Sequence, residues 1–334
     1  MKKTKRQYGK YIQLFLYMLA AFAMVFLSLP EFMGASAEVF SPAPMRAGDT
    51  VTIDEQPVPL SESASRVLKP TAPGTKVHAN SSTTVDVSNV SEGYIMAKYT
   101  GTGSKIKLQI QKSGSKSVYT YNLSTSGSYE TFPLTGGNGK YSIGVFENVS
   151  GNQYAQVLSA SVDVQLRDST LPFLYPNQYV NFSASSETVK KSNNLAQGAS
   201  DQLGIVTSVY NYVVNNISYD TQKAKTVKSG YLPAVDKILS SKTGICFDYA
   251  AVMAAMLRAQ RIPTRLEVGY VSGGVYHAWI STYINNVGWV NNVIYFDGKS
   301  WKMMDPTFAS SGGQSSQIME FIGNGSNYST QYIY

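Results

Sequence analysis

The sequence predicts two folded modules behind a leader: an all-β sandwich over residues 84–168 and an α+β domain over residues 169–334. Three observations carry this expectation. Between residues 84 and 166 apolar side chains recur at every second position, as in "KIKLQIQK", where Ile106, Leu108 and Ile110 alternate with Lys and Gln. From Ser200 the period becomes helical, with Ile205, Val209 and Val213 in one row and Val206, Tyr210 and Val214 in the next. Strand-like runs return after residue 263, and helices followed by an antiparallel strand set make an α+β pattern.

The leader comes first. Lys2, Lys3, Lys5, Arg6 and Lys10 precede the apolar run "IQLFLYMLAAFAMVFLSL", and "EFMGASA" then supplies small residues at Ala35 and Ala37. A basic segment, an apolar segment and an A-x-A site read as a secretory signal peptide over residues 1–37, with an uncleaved membrane anchor as the competing reading. No cysteine follows the apolar run at a cleavage site, which excludes a lipoprotein. The expected location is therefore secreted or cell-surface. The whole chain has 28 basic and 21 acidic residues; without the leader's five bases and one acid, 23 stand against 20, a formal charge of +3. That balance implies no nucleic-acid partner.

Residues 38–83 are rich in Pro, Ser, Thr and Ala with no sustained period, and are expected to be an extended lead-in. In the β module, "GTGSK", "KSGSKS", "STSGS" and "TGGNGK" punctuate the alternating runs at short intervals, which predicts six to eight strands. "KYSIGVFE" and "QYAQVLSA" around "NVSGN" read as a hairpin. Lys105, Lys107, Lys112 and Lys116 are placed to contact an anionic cell-wall polymer or, more simply, to solvate a strand face. "LRDSTLPFLYPNQYVNFSASS" reads as a linker packed across the next domain. Its helices are expected after a cap at Ser200 or Asp201, over "AVDKILSS", and over "CFDYAAVMAAMLRAQ", which Gly244 precedes and Pro263 follows. The strands expected after them are "TRLEVGYV", "HAWISTYI", "GWVNNVIYF" and "SWKMMDPT".

Cys246 is the chain's single cysteine, so it has no disulfide partner within the chain. One Cys and two His also supply too few soft ligands for a structural zinc site, and no metal or cofactor is expected. Cys246 falls in the first turn of its predicted helix, where unpaired N–H groups and the helix dipole favour a thiolate; an accessible, acidic thiol is expected. Asp248, two residues on, reads as a structural capping residue. A thiolate needs a base. His78 lies in the polar lead-in, whereas His277 opens the strand "HAWIS" beside Tyr276. Asp305, at the end of "WKMMDPT", is placed to orient the imidazole. Each of these residues also has an ordinary explanation: a buried thiol, a satisfied histidine, a turn-forming Asp before Pro. The residues by themselves leave both readings open.

"TGICFDYAAVMAAMLRAQRIPTRLEVGY", then "YHAWI", then "GKSWKMMDPTF" resemble the transglutaminase-like superfamily in its bacterial secreted form. The resemblance covers about residues 200 to 310 and rests on three separate motifs in order. It implies a papain-like α+β core with Cys246, His277 and Asp305 as the catalytic triad. The family usually has Gly just before Ile-Pro, whereas here Arg261 stands there. The implied chemistry is acyl transfer at amide bonds of a protein or peptidoglycan-peptide substrate, ending in cross-linking, deamidation or proteolysis. The backbone N–H of Cys246 is the natural oxyanion donor, with Tyr219 and Trp279 as weaker oxyanion or substrate-side candidates. The alternative is a non-catalytic cell-surface module that retains the fold.

Overall fold

The computed structural model describes residues 66–271, 273–285, 287–290, 294–296, 301–303 and 328–334, with the backbone alone for 294–296 and 301–303. The signal-peptide reading of residues 1–37, the lead-in up to residue 65 and Asp305 lie outside the described residues.

Period-two sequence becomes two four-stranded antiparallel sheets. One has the order β1-β2-β3-β6, from β1 (Val77–Ala79), β2 (Thr83–Asp86), β3 (Tyr94–Tyr99) and β6 (Glu130–Pro133). The other has the order β5-β4-β7-β8, from β4 (Ile106–Lys112), β5 (Tyr119–Leu123), β7 (Gly139–Ser150) and β8 (Gln153–Val164). Ile106, Leu108 and Ile110 are buried while Lys107 and Gln109 between them are not, the alternation of a one-sided face. β7 and β8 form the hairpin read around "NVSGN". The strand set starts earlier than residue 84: Val77–Ala79 pairs with Thr84–Asp86, so the end of the expected lead-in is sheet. Three residues, Val77-His78-Ala79, are too short a run for a period of two to register in the sequence.

The second module begins with a helix the sequence reading did not place, α1 (Glu187–Ala196), followed by α2 (Gln202–Asn216). Asp201 caps α2 by accepting the Gly204 N–H at 2.8 Å. β9 (Ser218–Tyr219), α3 (Thr221–Thr226), α4 (Val235–Ser241) and β10 (Thr243–Gly244) lead to α5 (Cys246–Ala259). Every residue of α5 except Phe247 is buried. α1, α2 and α4 pack on it from one side, and β11 (Thr264–Val271) and β12 (Val275–Ile284) from another. An alanine-rich helix suits this place, since small side chains let neighbours approach on all faces. β13 (Gly288–Val290) and β16 (Tyr328–Ile333) complete a four-stranded antiparallel sheet of order β13-β12-β11-β16, while β14 (Ile294–Phe296) and β15 (Trp301–Met303) pair separately. Gly269 on β11 is required by that sheet: an added Cβ would stand 2.0 Å from the Ser329 carbonyl oxygen.

α5 ends in a Schellman motif. The Ile262 N–H bonds to the Leu257 carbonyl and the Arg261 N–H to the Arg258 carbonyl, both at 3.0 Å. Arg261 occupies the left-handed position with φ +61°, so it adopts the conformation that glycine reaches more easily. Before it, the fully buried Arg258 donates to the carbonyls of Thr264, Tyr175 and Tyr334 at 2.7–2.9 Å. Burial lowers its guanidinium pKa to about 9. The three carbonyls replace lost hydration and tie the linker, the sheet and residue 334 to one helix. Among the described residues no helix is long and apolar enough to cross a membrane.

Candidate active site

Two features fix the start of α5. Gly244 lets β10 pass close, because a Cβ there would stand 2.7 Å from the Asp248 Cβ. Asp248 reaches back, its Oδ2 accepting the Ile245 N–H at 2.9 Å. Ile245 has no side-chain oxygen, so Asp248 provides the side-chain satisfaction of this helix end. Cys246 is the first helical residue, among N–H groups that the helix ladder leaves unpaired.

A buried carboxylate two residues from a nucleophile would oppose its negative charge. Asp248 is fully buried, yet its charge is met by Lys223, whose Nζ donates to Oδ2 at 2.5 Å. Tyr231 donates its hydroxyl to Oδ1 at 2.7 Å and lies under the Lys223 ammonium, 4.3 Å from ring centroid to Nζ. Burial first, then the bond to Asp248, pushes the Tyr231 phenol well up. Sequence reasoning anticipated the capping role of Asp248 but missed Lys223 and Tyr231, which lie in a polar stretch with no period.

His277 lies on β12, opposite Gly269 of β11, and is buried. Its ring stacks with Trp279, centroids 6.4 Å apart, as residues two apart on one strand face allow. Trp279 is fully buried and meets Tyr328 edge-on at 5.0 Å. That position backs His277. Tyr219, half-buried on β9, pairs in parallel with Gly244, two residues before Cys246. His78 sits on β1, in the other module.

The helix of Cys246 thus rests on the strand of His277. Burial is the main reason the phenol of Tyr276, beside His277, is pushed up, with Tyr332, Tyr270 and Tyr179 adding to it. An aromatic layer surrounds this end of α5. Tyr179 packs on Phe247 at 5.5 Å and on Tyr334 at 4.3 Å. The β module joins it through Tyr119, 5.3 Å from Tyr332, and Tyr121, 5.9 Å from Tyr179. Cys246 is only 3% exposed, in contrast to the accessible thiol expected from its position. Cys246 belongs to the buried apolar cluster that this layer of tyrosines also joins. Asp305, the expected third member, falls outside the described residues. Among the described residues no group of three or more His, Cys, Asp or Glu is placed to hold a metal ion.

Residues 189–306 match the transglutaminase-like superfamily. A UPF0252 protein of Methanocaldococcus jannaschii is 30% identical over 115 residues, which cover 31% of this chain and 32% of that protein. The chain thus matches about a third of the length of that curated relative. Among solved structures, a Cytophaga hutchinsonii protein described as a candidate cysteine protease aligns over 70% of this chain and 68% of its own, at 15% identity and a TM-score of 0.30. Red sea bream transglutaminase aligns over 69% of this chain and 53% of its own, at 14% identity and a TM-score of 0.28.

Proposed function

From the transglutaminase-like domain of residues 189–306 we propose an exported cysteine enzyme that transfers acyl groups at amide bonds of protein or cell-wall peptide. The observation that carries this reading is Cys246 as the first residue of a buried helix that rests on the strand of His277. In this mechanism the Cys246 thiolate attacks a carboxamide carbon, and the negative charge that develops on oxygen is met by the Cys246 N–H. His277 donates its proton to the leaving nitrogen, which departs as ammonia or an amine and leaves a thioester on Sγ. Water or a second amine then attacks the thioester, His277 takes the proton, and the thiolate returns. Asp305 holds the imidazole in the tautomer this needs. Asp248 has no part in proton transfer; its charge is neutralised by Lys223 and its oxygens hold the helix start.

The signal peptide over residues 1–37 carries the export part of the proposal. The two β sheets act as a sandwich adaptor for substrate or wall. Lys107 and Lys112 direct their ammonium groups to Asn122 Oδ1 and the Gly136 carbonyl, which favours a solvated face over a polymer-binding stripe. A second reading, a non-catalytic surface module, is favoured by the 3% exposure of Cys246.

Incubation with a glutamine-bearing peptide and a tagged amine separates these readings. An enzyme releases ammonia, or a peptide fragment where it cleaves the backbone, with tag incorporation if amines reach the thioester and hydrolysis alone if water does. A non-catalytic module gives neither.

A further inference from the structure

A carboxylate, a lysine and a phenol meet behind the start of α5. Asp248 lies in the first turn, two residues after Cys246, and its side chain has no exposed surface. Its Oδ2 accepts the Ile245 N–H at 2.9 Å and the Lys223 ammonium at 2.5 Å, and its Oδ1 accepts the Tyr231 hydroxyl at 2.7 Å. Three donors suit a carboxylate, which only accepts, better than an amide with its single acceptor oxygen. The fit brings a second negative charge into the turn where the mechanism needs a thiolate, and a neighbouring like charge disfavours ionisation. Lys223 is placed to cancel that charge, and backbone bonds hold its helix there. Asp220 caps α3 by accepting the Lys223 N–H, and the Asp220 N–H donates to the Gly244 carbonyl, both at 2.8 Å. α3 is thereby docked on β10, just before Cys246. The pair is also sheltered: the Lys223 side chain is 26% exposed, against 57% for Arg167 in its pair with Glu92. A sheltered pair is screened little by salt, and removing one partner leaves the other charge uncompensated.

We propose that Lys223 is a positioning residue of the acyl-transfer site: by neutralising Asp248 it keeps the Cys246 thiolate available at neutral pH. Lys223 acts through Asp248, and Tyr231 supports both, with its hydroxyl on the carboxylate and its ring under the ammonium. Around the same end of α5, Tyr219 lies on β9, His277 and Tyr276 on β12, Tyr179 in the linker, and Tyr332 and Tyr334 at or beyond the end of β16. These groups are common to every variant below, so differences between variants report on the Lys223–Asp248 pair. The role in catalysis rests on the acyl-transfer reading, whereas control of the thiol needs no substrate.

The test is the pH profile of iodoacetamide alkylation of the full chain, read as mass gain. Cys246 is the chain's single cysteine, so the gain reports on it alone. Lys223→Met leaves the Asp248 charge uncompensated and should move the midpoint of the profile up by about one pH unit. Lys223→Arg keeps a cation and should hold the wild-type midpoint. Lys223→Met combined with Asp248→Asn removes both charges while an amide oxygen still accepts the Ile245 N–H, and the wild-type midpoint should return. Asp248→Asn alone leaves the ammonium unopposed and should move the midpoint down; it decides the matter if Lys223→Met does not fold. An unmoved midpoint in Lys223→Met, or in Asp248→Asn where the former does not fold, overturns the proposal and makes the pair structural. A midpoint that stays raised in the double variant overturns it too, since Lys223 would then act on the thiol without Asp248. So does a wild-type chain with no titrating step. The full set of shifts without any amide turnover would leave the Lys223 assignment standing and remove the acyl-transfer reading alone.

Discussion

Arg261 is a long, charged side chain at a left-handed backbone position, and the Schellman bonds of Ile262 and Arg261 hold it there. That conformation costs an L-residue roughly 1–2 kcal/mol, against which glycine loses some stability through its freer unfolded chain. Arg261→Gly should therefore raise stability by about 0.5–1 kcal/mol in urea unfolding, with α5 unchanged. A loss would mean that the side chain itself makes a stabilising contact. Arg258, three residues earlier, behaves oppositely. Its removal in Arg258→Met takes the guanidinium donors from the Thr264 and Tyr175 carbonyls, while the Tyr334 carbonyl keeps the Leu266 N–H at 2.9 Å, and a loss of about 3 kcal/mol is expected by the same measurement. Neither outcome was legible in "RAQRIP". The sequence shows that Gly is missing before Ile-Pro, but not that the tight turn is kept. Nor does it reveal that Arg258 points inward, because its three acceptors come from residues 175, 264 and 334.

The elements that read clearly were those whose own pattern matched their surroundings. "TRLEVGYV" is β11 residue for residue, and "CFDYAAVMAAMLRA" is α5. α1 was not legible, because "ETVKKSNNLA" is polar overall. It is held by Thr188 on Asp236 and Ser192 on the Met256 carbonyl, contacts that only the tertiary fold creates. β16 was missed for the same reason, since "YSTQYI" becomes a strand by pairing with β11 about sixty residues upstream. One link between elements is also pH-sensitive. Arg167 clasps Glu92 through two bonds of 2.9–3.0 Å, and Tyr175 adds a third. The Arg167 bonds are the main reason the Glu92 pKa lies below its ordinary 4.5, against the opposing effect of burial. A depressed folded pKa means stability that is present above 4.5 and lost as pH falls through the lower folded value. Thermal melts of Glu92→Gln should therefore lie below wild type at pH 7 and converge with it toward pH 3. The difference should be small, because Arg167 is more than half exposed. A gap that widens on acidification would contradict this link.

Across the whole molecule, the buried apolar residues of the β module and of the helices form one continuous cluster, and the tyrosines at 119, 121, 179, 332 and 334 mark the seam. The sequence reading separated the two modules by the change of period but gave no sign of this seam, since its rings come from three distant segments. Cys246 belongs to the same cluster. Cys246 and His277 stand out in the sequence as candidates, because a lone cysteine at a helix start and a histidine opening a strand are features of single segments. The most direct test of the site is amide turnover by Cys246→Ala, His277→Ala and His78→Ala, each checked for an unchanged melting transition. Cys246→Ala should abolish turnover, His277→Ala should come close to doing so, and His78→Ala should retain wild-type activity. Turnover that survives in Cys246→Ala, or a damaging His78→Ala beside a silent His277→Ala, would contradict the assignment.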